Sequence, residues 1–297
     1  MKKKISGITC LLLATIIWGG AFVAQSAGMD LIGPMTFQAV RSFLAVIAMI
    51  LFTVVTELGQ LEQYFKKWAD PLLWKTGILC GIALFVATAL QQVALQFTDA
   101  GKAGFLTAMY IVIVPLLGIF LRRKPGKNAI IGVLIAVVGM YLLCCAGVTK
   151  INMGDIMLLG CAVAFAVQIT LVDQYAAQLD TIRLNCIQAL FVAVVSAVLM
   201  FFTEEPKTDT ILACWLPLCY AGVLSMGVAY SLQIFGQKWL EPTAASMIMS
   251  LESVFAVVFG ALLLKERMSM YESIGCVLVF VAVILSQLPE HKKRSVV

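Results

Sequence analysis

The chain has 297 residues, of which 62% are hydrophobic and only 12% charged, with a mean hydropathy of +0.99. Soluble domains carry about 25% charged residues, so a soluble fold is excluded and a polytopic all-α membrane protein is expected. The net charge of +5 is spread through short connectors, which excludes a nucleic-acid-binding surface.

Ten apolar spans can be drawn, at about 5–27, 34–56, 72–96, 100–121, 128–147, 154–173, 181–202, 211–235, 242–264 and 268–288. The first opens on Lys2-Lys3-Lys4, a start it shares with signal peptides. Its apolar run continues past Trp18 to about Val23, however, and the remaining spans pair up only if it is kept. The second span, Pro34–Thr56, has 23 residues. At about 1.5 Å per residue that is enough to cross a hydrocarbon core of ~30 Å.

Arg41 is the one charge in the second span and lies roughly 10 Å along its axis. A lipid-facing cation at the bilayer centre costs at least ~2.5–3.5 kcal/mol. Arg41 therefore either faces the interior of a helix bundle or snorkels to the interface as a structural anchor. Gln38, Arg41, Ala45 and Ala48 recur at helical spacing. Such a polar-then-small stripe reads as a face packed on other helices and wet near one end, and the interior role is the preferred reading.

The connectors carry turn residues: Gly33-Pro34, Asp70-Pro71, Lys124-Pro125-Gly126 and Glu241-Pro242. The longest, Glu57–Asp70, holds Leu58, Leu61, Tyr64, Phe65 and Trp68 and reads as an amphipathic segment lying on the membrane surface. In the fourth span Gly101, Gly104 and Thr107 form a small-residue stripe, and Pro115 is expected to kink the helix. In the ninth span Thr243, Ser246, Ser250 and Ser253 form a similar stripe. Glu252 there lies roughly 15 Å deep, near the midplane.

The nine cysteines fall mostly inside apolar runs with no CxxC spacing and read as packing residues. The single histidine, His291, lies in the charged tail. Neither a zinc-type site nor a Ser-His-Asp or Cys-His centre has raw material here. The P-loop pattern GxxxxGK[ST] is absent, so direct drive by ATP is not expected. No enzyme activity, cofactor or metal is expected.

Lys and Arg set the orientation. On the side of the N-terminus lie Lys2, Lys3, Lys4, Lys66, Lys67, Lys75, Arg122, Arg123, Lys124, Lys127, Arg183, Lys238, Lys292, Lys293 and Arg294. On the other side lie Lys102, Lys150, Lys207, Lys265 and Arg267. That imbalance puts both termini in the cytoplasm, as an even number of spans requires. The chain also repeats itself. Phe37-Gln38-Ala39-Val40 through Phe52-Thr53 aligns with Ile187-Gln188-Ala189-Leu190 through Phe202-Thr203, Ser6-Gly7 with Met153-Gly154, and Gly132 with Gly275. Two five-span halves, 1–149 and 150–297, follow. An odd number of spans per half inverts the second, the architecture of alternating-access carriers with a site near the midplane.

Trp18-Gly19-Gly20-Ala21-Phe22, Pro34, Arg41-Ser42-Phe43 and the charged end of the fourth span resemble the first repeat of the EamA-like family in the drug/metabolite transporter superfamily. Ser250-Leu251-Glu252-Ser253-Val254-Phe255-Ala256, followed by Leu264-Lys265-Glu266-Arg267, is similar to its second-repeat signature. The chain departs from that pattern at Ser253, where proline is expected. It departs again at Phe165, where the first repeat has Trp18, and at Phe191, which answers to Arg41. The resemblance implies export, or sometimes exchange, of small metabolites such as amino acids. The small multidrug exporters of the same superfamily use an acidic residue in their first span; this chain has none there, and its sixth span has only Asp173 at its end.

The expected function is secondary transport, by alternating access, of small polar metabolites such as amino acids. The rival reading is a non-transporting membrane protein, lipid-handling or an assembly partner, whose charges would sit in dry contacts with no cavity. Arg41 and Glu252 are expected to share a central cavity or to pair directly. A free Arg41 would serve as counter-ion to a substrate carboxylate, and Glu252 is the candidate for proton coupling. Buried amides either bond across helices or line a wet cavity. Of Gln25, Gln38, Gln91, Gln92, Gln168, Gln188 and Gln233, we place Gln38, Gln92 and Gln188 at the site together with the aromatics Trp18, Tyr110 and Tyr230. The expected partners are a small-molecule substrate and membrane lipid, with the chain a monomer or homodimer.

Overall fold

Proline opens three of the long helices, where its missing N–H costs nothing. The computed structural model describes residues 2–98, 100–122, 125–144, 152–264 and 269–288. Arg123, Lys124, Cys145, Lys150, the Lys265–Arg267 cluster, His291 and the basic tail lie outside the described residues. The helices run α1 Lys2–Met29, α2 Pro34–Thr56, α3 Leu61–Trp68, α4 Pro71–Ala94, α5 Ala100–Ala108, α6 Tyr110–Phe120, α7 Lys127–Cys144, α8 Met153–Tyr175 and α9 Thr181–Thr203. They continue as α10 Thr208–Ala213, α11 Trp215–Cys219, a π-helical stretch Tyr220–Ala229, α12 Tyr230–Gln237, α13 Pro242–Met249, α14 Leu251–Leu264 and α15 Met270–Gln287.

Nine spans among the described residues are long and apolar enough to cross a membrane, and α7 is a shorter apolar tenth. The protein is thus an all-α integral membrane protein of ten helices. The fourth span is broken into α5 and α6 at Met109, and the ninth into α13 and α14 at Ser250. At both breaks the ladder tightens to three-residue spacing: Val112 N donates to Met109 O at 3.0 Å and Ser253 N to Ser250 O at 3.2 Å. Pro115 lies inside α6, where it deletes one hydrogen bond, and the interruption falls six residues earlier.

The helices pair so that each contact recurs five spans on. α2 lies along α9, and α7 along α15. α4 packs on α8 and α9, as the π stretch and α12 pack on α1 and α2; α1 crosses α13 and α14, as α8 crosses α5 and α6. The stripe Gln38, Arg41 and Ala45 is buried in this core, while Ile47 and Leu51 on the opposite face of α2 are 54% and 59% exposed. Close approach depends on glycine: a Cβ on Gly139 of α7 would stand 3.0 Å from Gly275 O in α15.

Carboxylates tie the ends of the α2–α9 pair. At one face Glu204, just past α9, accepts from the Met35 and Thr36 backbone N–H groups at 2.7 and 2.9 Å, and from Thr36 Oγ1 at 2.6 Å. It thereby satisfies the first turn of α2, whose N-cap Gly33 has no side chain to do so. At the other face Glu57, just past α2, takes Arg183 of α9 in a two-pronged bond at 2.7 and 3.1 Å.

Arg183 is fully buried. Its guanidinium lies 5.1 Å from the Tyr64 ring and 5.4 Å from the Trp68 ring of α3. None of the residues of α3 is buried, and Leu58, Leu61 and Phe65 are about two-thirds exposed, the surface-lying segment expected.

The hydrogen bonds from Arg183, aided by Lys67, hold the Glu57 carboxyl at about 2, below its ordinary 4.5. A depressed folded value gives stability that is complete above about 4.5 and lost as the pH falls toward about 2. Melting temperature should therefore drop across that window in the wild type, and Glu57→Gln should lower it at neutral pH while flattening the acid limb. An acid limb unchanged by the substitution would remove Glu57 as its source.

Candidate functional site

Where α2 passes the middle of the bundle, Arg41 Nη1 donates to Gln25 Oε1 at 2.6 Å and Nη2 to Gln38 Oε1 at 2.7 Å. Gln38 Nε2 in turn donates to Thr88 Oγ1 at 2.6 Å, and Gln25 Nε2 to Ala21 O at 3.1 Å. These bonds fix the guanidinium and occupy two of its five N–H groups. The amides are neutral, so the positive charge is held in place without being cancelled.

Across the bundle Glu252, in the first turn of α14, accepts from Tyr110 OH at 3.0 Å. Arg41 and Glu252 form no ion pair among the described residues. Instead both line one buried cavity of about 40 Å³, room for about three waters. Trp18, Phe165, Tyr110 and Tyr230 supply aromatic walls. The Trp18 and Tyr230 ring centroids stand 5.0 Å apart edge to face, and those of Tyr110 and Phe165 6.4 Å. Trp18 Nε1 and Gln233 Oε1 are buried without a hydrogen-bond partner, and both residues are on the cavity wall.

The π stretch adds Ser225 and Met226 to the cavity wall. Wide π winding strands carbonyls where it returns to α, and Asn185 Nδ2 meets two of them, Met226 O at 3.0 Å and Gly227 O at 2.9 Å. Gly222 lets the stretch lie directly on α2, since a Cβ there would stand 2.6 Å from Arg41 O. On the opposite wall a Cβ on Gly19 would lie 2.4 Å from Phe255 Cβ and 2.9 Å from Ala256 N. The two broken spans meet at the same level, where Ser253 Oγ donates to Gly104 O at 3.0 Å. Ser253, the departure from the expected proline, thus has a bonding role across helices.

Of the residues singled out by sequence, Arg41, Glu252, Trp18, Tyr110 and Tyr230 come together on the cavity wall. Three do not. Gln38 lies behind Arg41 and orients it; Gln188 bonds Gln168 at 3.3 Å and Asn185 at 2.8 Å; Gln92 Nε2 meets Met29 Sδ at 3.1 Å. Gln38 and Gln188 bond within and between helices as glue, while Gln92 keeps a buried Oε1 without a partner away from the cavity wall; helical spacing alone does not separate such amides from one facing a cavity. Gln25, Gln91 and Gln233, named among the buried amides but not placed at the site, do line the cavity, as does Ser225, which the sequence reading did not single out. Asn185 carried no signal, because its partners exist only once the π winding forms.

Ten apolar helices around a cavity lined by Arg41, Glu252 and aromatic rings fit the class of membrane transporters. The chain belongs to the EamA-like transporter family, whose description matches it twice, over residues 5–145 and 152–288. It is 31% identical to an "uncharacterized transporter" of Archaeoglobus fulgidus, over 96% of this chain and 87% of that one. A chloroplastic WAT1-related protein of Arabidopsis thaliana is 24% identical over 95% of this chain and 69% of its own. A solved crystal structure shares the fold with a TM-score of 0.79 at 17% identity, over 95% of this chain and 96% of that one.

Proposed function

We propose that the protein is a secondary transporter of small zwitterionic metabolites of the amino-acid type, working by alternating access around the Arg41–Glu252 cavity. The observation that carries this is the pair of opposite charges sharing one cavity without bonding each other. A carboxylate finds the free N–H groups of Arg41 in fork geometry, and an ammonium finds Glu252 beside electron-rich ring faces. Trp18 Nε1 and Gln233 Oε1, which have no partner within the protein, add one donor and one acceptor on residues of the cavity wall.

The working parts are two inverted halves, 1–149 and 150–297, supported by the double family match and by the recurrence of helix contacts five spans on. Interrupted spans at the level of a midplane site are a recurrent device of secondary carriers, and Met109 and Ser250 are positioned to flex around the cavity. At about 40 Å³ the cavity is smaller than the ~300 Å³ at which ligand sites begin, so substrate entry requires these spans to part. The excess of Lys and Arg on the N-terminal side puts both termini in the cytoplasm of a plasma membrane, and efflux is the direction the family resemblance implies. Glu252 is the group we assign to proton coupling.

The test is counterflow of labelled amino acids and organic cations in proteoliposomes. Wild type is expected to move a zwitterion and to respond to an imposed proton gradient. Glu252→Gln should weaken counterflow of the zwitterion, because it removes the counter-charge of the ammonium, and should abolish the gradient response of the counterflow that remains. A broad panel that never moves, or a gradient response that survives in Glu252→Gln, overturns the reading.

A further inference from the structure

A second cavity, of about 710 Å³, opens on the outside of the bundle between α2, the start of α9 and the stretch from Val223 to Lys238. Its volume lies within the range of about 300–1,000 Å³ typical of ligand sites. Its walls are apolar side chains of spans: Phe52 is 54%, Val228 41% and Phe235 38% exposed. Ser231, partway along, spends its hydroxyl on Gly227 O at 2.7 Å.

Charge appears in this groove only as Asp180 and Lys238. The two are neighbours, because Lys238 Nζ donates to Leu179 O at 2.9 Å, one residue before Asp180. That bond uses one of three ammonium donors. The Asp180 carboxylate faces Arg183 Nη1 at 3.3 Å through Oδ2 and remains 36% exposed. An apolar trough with a cation and an anion side by side fits an amphiphile whose headgroup carries both signs. A purely anionic headgroup would meet Lys238 but leave its own charge against Asp180.

We propose that this groove is a phosphatidylethanolamine site, with an acyl chain along Phe52 and Val228, the phosphate on Lys238 and the ammonium on Asp180. The site is separate from the central cavity but shares a wall with it: Gly227 lines the groove, and its chain neighbour Met226 lines the cavity. A lipid seated there leans on the π stretch from outside.

Native mass spectrometry of the delipidated full chain tests this, with phosphatidylethanolamine and phosphatidylglycerol of matched acyl chains added back in turn. Wild type should retain phosphatidylethanolamine about fivefold over phosphatidylglycerol, near 1 kcal/mol. Asp180→Asn, which keeps the cap on Arg183 N, should lose that preference, whereas Lys238→Gln should weaken both adducts. Val228→Trp, placed on an exposed groove position, should fill the trough and lose the adduct while eluting as a folded protein. Equal or greater retention of phosphatidylglycerol by wild type overturns the proposal, as does an undiminished adduct in Val228→Trp.

Discussion

Arg41→Lys is expected to reduce transport by about 10- to 100-fold while leaving the protein folded. Lysine keeps the charge and can still donate to Gln25 and Gln38, the two amides that hold Arg41 at 2.6 and 2.7 Å. It cannot also present a planar fork to a carboxylate. A charge-assisted hydrogen bond is worth about 1.5–3 kcal/mol, and losing one scales to roughly that range of affinity. Arg41→Ala asks a different question. It strands Gln25 Oε1 and Gln38 Oε1 in the core at about 1–3 kcal/mol each, so a failed Ala variant reports on folding as much as on binding. Comparing counterflow per folded molecule for the lysine variant separates the two. Wild-type counterflow in Arg41→Lys would mean that the guanidinium holds helices together and does not meet substrate.

Gly19→Ala should be the most damaging single-methyl change in the membrane core. Its Cβ would fall 2.4 Å from Phe255 Cβ and 2.7 Å from the Phe255 carbonyl carbon. Backbone atoms of α14 cannot rotate away, so α1 and α14 must separate, at about 1–3 kcal/mol for overpacking of this kind. Gly104→Ala is the matched control, because its Cβ would stand 3.7 Å from the nearest atom, an ordinary contact. Thermal melting in detergent should show a clear drop for Gly19→Ala and almost none for Gly104→Ala. Equal melting temperatures would mean that the α1–α14 contact is looser than described.

Much of this architecture could be read from residue order, because the bilayer enforces long apolar runs and charges interrupt them. Depth arguments also brought Arg41 and Glu252 to one cavity, since each lies mid-span and has few places to hide from lipid. Partnership was less legible. Gln25 and Gln92 are both amides within apolar spans, yet one holds Arg41 and the other meets Met29; only the crossing of helices tells them apart. Arg183 entered the sequence reading as a charge that sets orientation, but it is fully buried. Its Glu57 partner is 126 positions away, and pairing at that distance leaves no local signal. Pro115 marked the fourth span as irregular, but the interruption at Met109 has no residue of its own to announce it. The π winding of Tyr220–Ala229 likewise has a distant partner, since Asn185 of α9 meets its Met226 and Gly227 carbonyls.

Glu204 clamps one end of α2 to α9, and Glu57 clamps the other. Two antiparallel rods fastened at both tips cannot scissor: pulling one pair of tips apart while the other stays shut would break a carboxylate's bonds. So long as both fastenings hold, this pair turns as a single axle. In the alternating access proposed above, the movement then falls to spans outside this pair, among them the fourth and ninth, which are interrupted at Met109 and Ser250.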